Sequence, residues 1–261
     1  MKLISGETRE EVWLEALEHL LLHAEDSIEY DLILEVKKPG LSSSRSREVR
    51  KELDVLLRDA KKYSVHTVAE TIFPSAEYKS HQLKGVTEVY PEEIYPSIKR
   101  HSGNTKGTYA YRIVRGKNAK GEDCRPLESI IKRMRSQLNG TGIRCAYDLS
   151  LDNVETIPIN RNDNFIRGFP CLSHLSFKLS RNKKSLHLTA LYRSHDYVGK
   201  ALGNLLGLAR LQACIAKEVG IGIGPIVCHS TYATLNTNNG GPGTRKLRSL
   251  VNSFKEGENA S

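Results

Sequence analysis

Cys171, in the stretch "GFPCLSH" (168–174), follows a proline and opens an alternating run, "LSHLSFKLS", with the pattern of a strand. A thiol in such a place is either a small buried hydrophobe or, beside a cation, a thiolate and a nucleophile. Further on, "LYRSHD" sets Arg193, Ser194 and Asp196 at the end of a second alternating run. A long apolar helix follows, with Asn204 in its first turns. An arginine and a serine at a strand end, facing a helix start, make an anion site. An asparagine offers one donor and one acceptor group, which suits a pyrimidine edge, although it can also cap a helix. Glu70 lies among apolar neighbours in "VHTVAETIF" (65–73). Burial there would raise its pKa and let it move protons near neutrality; the alternative is an ordinary turn glutamate. A nucleotide with a reactive pyrimidine would use all of these groups.

The elements that must position them follow from periodicity. Residues 8–24, "TREEVWLEALEHLLLHA", predict a helix capped by Thr8 with Glu11 three residues on. His19 and His23 lie one turn apart on it and read as two half-buried helix histidines rather than metal ligands. "YDLILEVKKPG" predicts a strand ending at Pro39-Gly40, "LSSSRSR" a polar loop, and "EVRKELDVLLRDAKKY" a charged amphipathic helix with a solvated face. The span 75–108, with its prolines, tyrosines and "HSGNTKG" loop, reads as mostly irregular. A helix is predicted over 127–138 and a strand over 142–151. "SLHLTALYRS" is the antiparallel partner of the strand after Cys171. "YVGKALGNLLGLARLQACIAKEVG" is a long helix ended by Gly220, and its Gly199, Gly203 and Gly207 predict close helix packing or ligand approach. "IGIGPIVCHSTYATL" is a final strand. One α/β domain is expected over 1–235, then a Gly/Asn-rich linker and a short basic helix over 236–261.

Composition bounds the partners. The 261-residue chain is 39% hydrophobic and 26% charged, which suits a folded globular protein. Its formal charge of +9 suits an anionic ligand, nucleotide or nucleic acid, or simply a basic surface. Nucleic-acid binding is the weakest of these readings, because the sequence does not interleave aromatic and basic residues. Five scattered cysteines (Cys124, Cys145, Cys171, Cys214, Cys228) with no CxxC pair point to reduced thiols rather than a disulfide framework or a zinc site. No apolar run approaches the roughly 20 residues of a membrane span, and "MKLISGETREEVW" lacks a signal-peptide core. A cytoplasmic location is expected, with no membrane partner.

Over residues 165–235, the motifs "PCLSHLSF" (170–177), "LYRSHD" (191–196), "GKALGNLLGLARLQACIA" (199–216) and "HSTY" ending at Tyr232 resemble, in order and spacing, the thymidylate synthase superfamily. That superfamily includes the pyrimidine-nucleotide hydroxymethylases. Upstream, "VAETIF" resembles the helix bearing the family's catalytic glutamate, and "GTYAYRIV" and "IRCAYDLSL" stand in the places of the preceding loop and strand. The resemblance implies a thymidylate synthase-like α/β fold, a mixed twisted sheet flanked by helices, dimerised through the sheet face. It implies that Cys171 attacks C6 of the pyrimidine, so that C5 accepts a one-carbon unit from 5,10-methylenetetrahydrofolate. Arg193 would hold the nucleotide phosphate and favour the thiolate, and Ser194 would add a phosphate hydrogen bond. Asn204 would pair with the ring amide, Tyr232 would contact the sugar, Asp196 would support the pterin, and Glu70 would organise water for proton transfers.

The chain departs from the family pattern in several places. Only Arg45 and Arg47, in "KKPGLSSSRSR", stand near the family's Arg-rich loop. "NGTG" occupies the place of a paired arginine, with Arg144 on the following strand. Ser230, beside His229, replaces the histidine two residues before the tyrosine, so ribose and deoxyribose both stay open. The segment after Glu70 supplies Phe73 but no tryptophan. The tail "GGPGTRKLRSLVNSF" stands where a longer segment closes over the folate. A reduced lid would let water capture the exocyclic methylene, which favours hydroxymethylation over methylation. The alternative is a catalytically silent homologue that binds a nucleotide or a protein partner.

Overall fold

The computed structural model describes residues 1–101, 104, 107–118, 120–138, 140, 146–151, 170–237 and 240–256. The chain opens with strand β1 (Lys2–Gly6) and helix α1 (Arg9–Leu22). At the start of α1 the Thr8 side chain accepts from the Glu11 amide, and Glu11 reaches back to the Thr8 amide, the capping box expected from the sequence. Strand β2 (Ile28–Val36) follows, then α2 (Ser44–Asp59) and α3 (Val65–Glu70). Helix α2 begins inside the stretch read as a polar loop, because the Ser43 hydroxyl caps the Ser46 amide and Ser46 itself is buried.

The span read as mostly irregular is helical over much of its length. It contains α4 (Ser75–Lys84), a π-helical stretch Gly85–Ile94 and the single turn α5 (Tyr95–Ile98). Prolines hid these helices from periodicity, yet Pro96 sits in the first turn of α5, where a missing N–H costs nothing. Burial of Val86, Tyr90 and Tyr95 holds the segment in place. Helix α6 (Tyr109–Val114), the small hairpin β3 (Gly116–Lys117) and β4 (Asp123–Cys124), and helix α7 (Pro126–Leu138) come next. Of the strand expected over 142–151, β5 (Asp148–Ser150) is present; residues 141–145, with Arg144, lie outside the described residues. The remainder is β6 (Leu172–Leu179), β7 (Ser185–Tyr192), β8 (His195–Asp196), α8 (Ala201–Val219), β9 (Gly222–Thr234) and α9 (Thr244–Glu256).

Among the described residues the strands form a mixed sheet in the order β1-β2-β9-β7-β6-β5, with β8 added beside β9. β1 and β2 run parallel, as do β7 and β9, while β9 is antiparallel to β2 and β6 to β7. Alternation sends Leu34, Cys228 and Ala190 to one face in a single cross-strand row, and all three are buried. Helices α1 and α8 cover that face, completing the helix-flanked α/β architecture expected from the sequence. The other face carries Leu3, Ile33, His229 and Leu191 in register, and Leu3 is 59% exposed. Leu247, Leu250, Val251 and Phe254 of α9 are buried in the same apolar core, and α9 lies against α1 and α2.

Two glycines of α8 allow α3 to pack directly on its backbone. A Cβ at Gly203 would lie 2.5 Å from the Cβ of Val68, and one at Gly207 would lie 2.8 Å from the carbonyl oxygen of Ala69. Close helix packing is thus the role of this spacing, and α3 is held beside α8 by it. Gly203→Ala is expected to force the helices apart and cost about 1–3 kcal/mol in urea denaturation, despite alanine's better helix propensity.

Candidate active site

Cys171 precedes β6 and is held at its backbone on two sides. Its carbonyl accepts from the Arg193 amide (2.9 Å), continuing the β6–β7 pairing. Its own amide, and that of Leu172, donate to the hydroxyl oxygen of Tyr109 at 3.0 and 3.3 Å. Tyr109 opens α6, so this one oxygen ties the helix to the start of the strand. Burial, then the neighbouring Cys171, push the Tyr109 hydroxyl up to about 12, so it stays protonated at neutral pH. Tyr109→Phe leaves two amides without their acceptor. It is expected to lower stability by about 1–3 kcal/mol, checked by urea denaturation.

A cleft of about 630 Å³ opens beside the thiol. Cys171, Ser194, Asp196 and Tyr232 all line it, four of the residues singled out from the sequence. β7, β8 and β9 bring them together: Arg193 and Ser194 form the bend between β7 and β8, and Thr231 on β9 donates from its hydroxyl to the Arg193 carbonyl (3.1 Å). Arg193 donates from Nε to the Pro170 carbonyl (2.9 Å), which fixes the guanidinium base next to the cysteine. The amides of Val198 and Gly199 donate to Oδ1 of Asp196 at 3.0 and 2.9 Å. Burial raises the Asp196 pKa, while these amides, Asn236 and Lys200 favour its charged form.

Sequence reasoning missed several polar groups in the cleft, among them Lys200, Arg112 and Asn236. Lys200 lies between Asp196 and the start of α8, and its Nζ sits 5.3 Å from the ring centre of Tyr63. Burial lowers its pKa, and Asp196 and Cys171 act in the opposite sense, so the ammonium is within electrostatic reach of both. Arg112 on α6 donates from Nη1 to the Leu151 carbonyl (2.9 Å) and also lines the cleft, as does Asn236. The available signal was a lone lysine inside the apolar run "YVGKALG". These cations can receive phosphate or carboxylate, and Asp196 can accept N–H donors from a heterocycle.

Asn204 and Ser230 are buried and are not among the lining residues of the cleft. His195 joins them: its Nε2 accepts from Nδ2 of Asn204 (3.0 Å) and its Nδ1 meets the Ser230 hydroxyl (2.9 Å). The imidazole stacks on Tyr192 with ring centres 4.0 Å apart, and the Tyr197 hydroxyl lies 3.1 Å from that of Ser230. Burial takes the His195 pKa down to about 3. The ring is therefore neutral, with its proton on Nδ1, since Nε2 accepts.

Glu70 is not among the residues that line the cleft. Its carboxylate accepts from the amide (2.8 Å) and hydroxyl of Ser75 and from Nη1 of Arg210 (2.8 Å), tying α3 to α8; its neighbour Thr71 reaches the cleft instead. Arg45 donates to the Phe254 carbonyl (2.7 Å), against α9, and Arg47 is exposed on α2. No helix among the described residues is long and apolar enough to cross a membrane.

No protein-family model matches the chain. Curated proteins do resemble it. A protein of Methanocaldococcus jannaschii named "Putative thymidylate synthase" is 28% identical over 212 residues, covering 75% of this chain and 87% of that protein. Proteins of the same name from Methanothermobacter marburgensis and Methanothermobacter thermautotrophicus are each 42% identical over 64 residues, 24% of this chain. Those shorter matches span 28% of the length of the two Methanothermobacter proteins.

Proposed function

We propose that the chain is a thymidylate synthase-like enzyme that transfers one carbon to C5 of a pyrimidine nucleotide, with hydroxymethylation favoured over methylation. The observation that carries this reading is the convergence of Cys171, Ser194, Asp196 and Tyr232, with the cations of Lys200 and Arg112, on one cleft. Cys171 Sγ adds to C6, and the electron pair of the C5–C6 bond moves toward C5 and O4. C5 then bonds the electrophilic carbon and loses its proton, the bond from that carbon to its carrier amine breaks with the electron pair staying on nitrogen, water adds to the carbon, and the ring expels Sγ to recover its double bond. Lys200 lies where its charge favours both the thiolate and the negative charge that develops on the ring.

Phosphate recognition is rebuilt in this reading. Lys200, Arg112 and Ser194 supply what the resemblance assigned to an arginine set. Tyr232 lines the cleft, edge-on to Tyr30 at 5.7 Å, and is the residue this reading assigns to the sugar. Asn204 reads the base through small movement of its amide, or holds His195 in place. The donor set fits 5,10-methylenetetrahydrofolate as cofactor, because the half-buried Asp196 carboxylate lines the cleft and can accept N–H groups of the kind a pterin presents. That cofactor supplies carbon at the oxidation level of formaldehyde. Partial exposure of Cys171 in an open cleft supports capture of the transferred carbon by water, and so hydroxymethylation over methylation. The apolar residues on the open sheet face, Leu3, Ile33 and Leu191, suit pairing with a second copy of the chain.

One set of observations favours a second reading, a silent homologue that binds a nucleotide or protein. Glu70 is engaged by Arg210 and Ser75, and Asn204 and Ser230 by His195. Tritium release from 5-tritiated dUMP, UMP, dCMP and CMP, with and without methylenetetrahydrofolate, separates the two. Release identifies base and sugar, and product mass separates methyl from hydroxymethyl. No release from any of the four by folded protein selects the silent homologue.

A further inference from the structure

Helix α2 presents Arg47, Lys51 and Arg58 at spacings of four and seven residues, which put them along one face. All three are exposed, and no carboxylate among the described residues pairs with them. From Arg47 to Arg58 the stripe runs roughly 16 Å. The acidic group within it is already committed: Asp54 Oδ1 accepts from the Val65 amide at 2.7 Å. The stripe forms one wall of an open groove of about 810 Å³, whose floor continues through Lys62 to Tyr63. Tyr63 is 62% exposed, and its ring is the surface above which Lys200 holds its ammonium. Groove and cleft therefore share the Lys200–Tyr63 contact as a common wall. The aromatic and basic groups that the sequence does not interleave are brought together here by the fold.

We propose that this groove binds single-stranded nucleic acid, with phosphates along Arg47, Lys51 and Arg58 and a base stacked on Tyr63. A row of unpaired cations tracks a phosphate backbone, and an exposed ring beside a cation is a platform for an unpaired base. A duplex has no free base face to offer Tyr63, so single strands are preferred. The groove goes beyond the reaction proposed above and does not depend on it.

Fluorescence anisotropy of a fluorescein-labelled oligouridylate, titrated across a range of KCl concentrations, tests the groove. Wild type and Cys171→Ser are expected to bind alike, which separates this result from any failure of the C5 chemistry. The Arg47→Gln/Lys51→Gln/Arg58→Gln variant is expected to reduce the slope of log K against log salt by about 2. Tyr63→Ala is expected to weaken binding about tenfold with the slope unchanged, while Tyr63→Phe keeps the affinity. All four side chains are exposed, so circular dichroism should show an unchanged fold. Absence of binding, a triple variant with the wild-type slope, or a Tyr63→Ala variant of undiminished affinity would each overturn the proposal. So would equal binding of an oligoglutamate of the same length, which would mean that the groove reads charge alone.

Discussion

Cys171→Ser is expected to lower release of tritium from the 5-position of the accepted nucleotide by about 10⁴-fold or more, while the protein stays folded. The size follows from the chemistry. Serine at this position is a poor nucleophile, since its hydroxyl is not ionised at neutral pH, and without addition at C6 the C5 proton does not become labile. The fold should tolerate the change. Cys171 lies at the edge of the core rather than within it, and its backbone hydrogen bonds to Tyr109 and Arg193 do not involve sulfur. Nucleotide affinity should persist, because Lys200, Arg112, Ser194 and Tyr232 are untouched. Loss of turnover with retained binding is therefore the signature, read by isotope release and by equilibrium dialysis on one preparation. A Cys171→Ser protein that releases tritium at the wild-type rate would remove the thiol from the mechanism.

Between pH 7 and pH 5, His195 is expected to withdraw about 2 kcal/mol from the stability of the protein. Its folded pKa is near 3 and lies below the ordinary value of 6.5, so the unfolded chain takes up the proton first. The residue contributes no penalty above about pH 6.5. As pH falls through 6.5 the unfolded state gains protons that the folded state refuses, and the loss approaches about 1.4 kcal/mol for each further unit until pH 3. The cause is structural: the ring is 2% exposed, stacked on Tyr192, with Asn204 donating to Nε2, so a second proton would have no acceptor. Urea denaturation of wild type and His195→Gln from pH 7 to pH 5 isolates the effect from other titrating groups. His195→Gln should be less stable at pH 7, because the stacked ring is lost, but should lose less with acid. Parallel pH slopes for the two proteins would show that His195 is not the group responsible.

Much of the architecture was legible because it rests on short-range rules. The capping box at Thr8 and Glu11, the left-handed Gly220 that ends α8 (φ 81°), and the alternation through β6 and β7 are each encoded within a few residues. Part of the membership of the cleft was legible for the same reason. Cys171, Ser194 and Asp196 sit at the ends of paired strands, so finding the hairpin also brings them together.

The tertiary structure alone decided the rest. The sequence leaves Glu70 either a buried acid or an ordinary turn glutamate; its partner in the fold is Arg210, 140 residues away, and no local pattern encodes that pair. The helices of 75–98 form because Val86, Tyr90 and Tyr95 find a place to be buried, which overrides the weak local preference of a proline-punctuated segment. Asn204 occupies the expected turn of α8, yet spacing cannot say whether its amide faces a ligand or His195. That depends on β8 laying a buried imidazole against the amide, a consequence of how three strands pair. Sequence order thus determined which residues reach the site and on which elements. The direction of each polar side chain was settled by desolvation, since a buried donor takes whatever acceptor the completed fold places within about 3 Å.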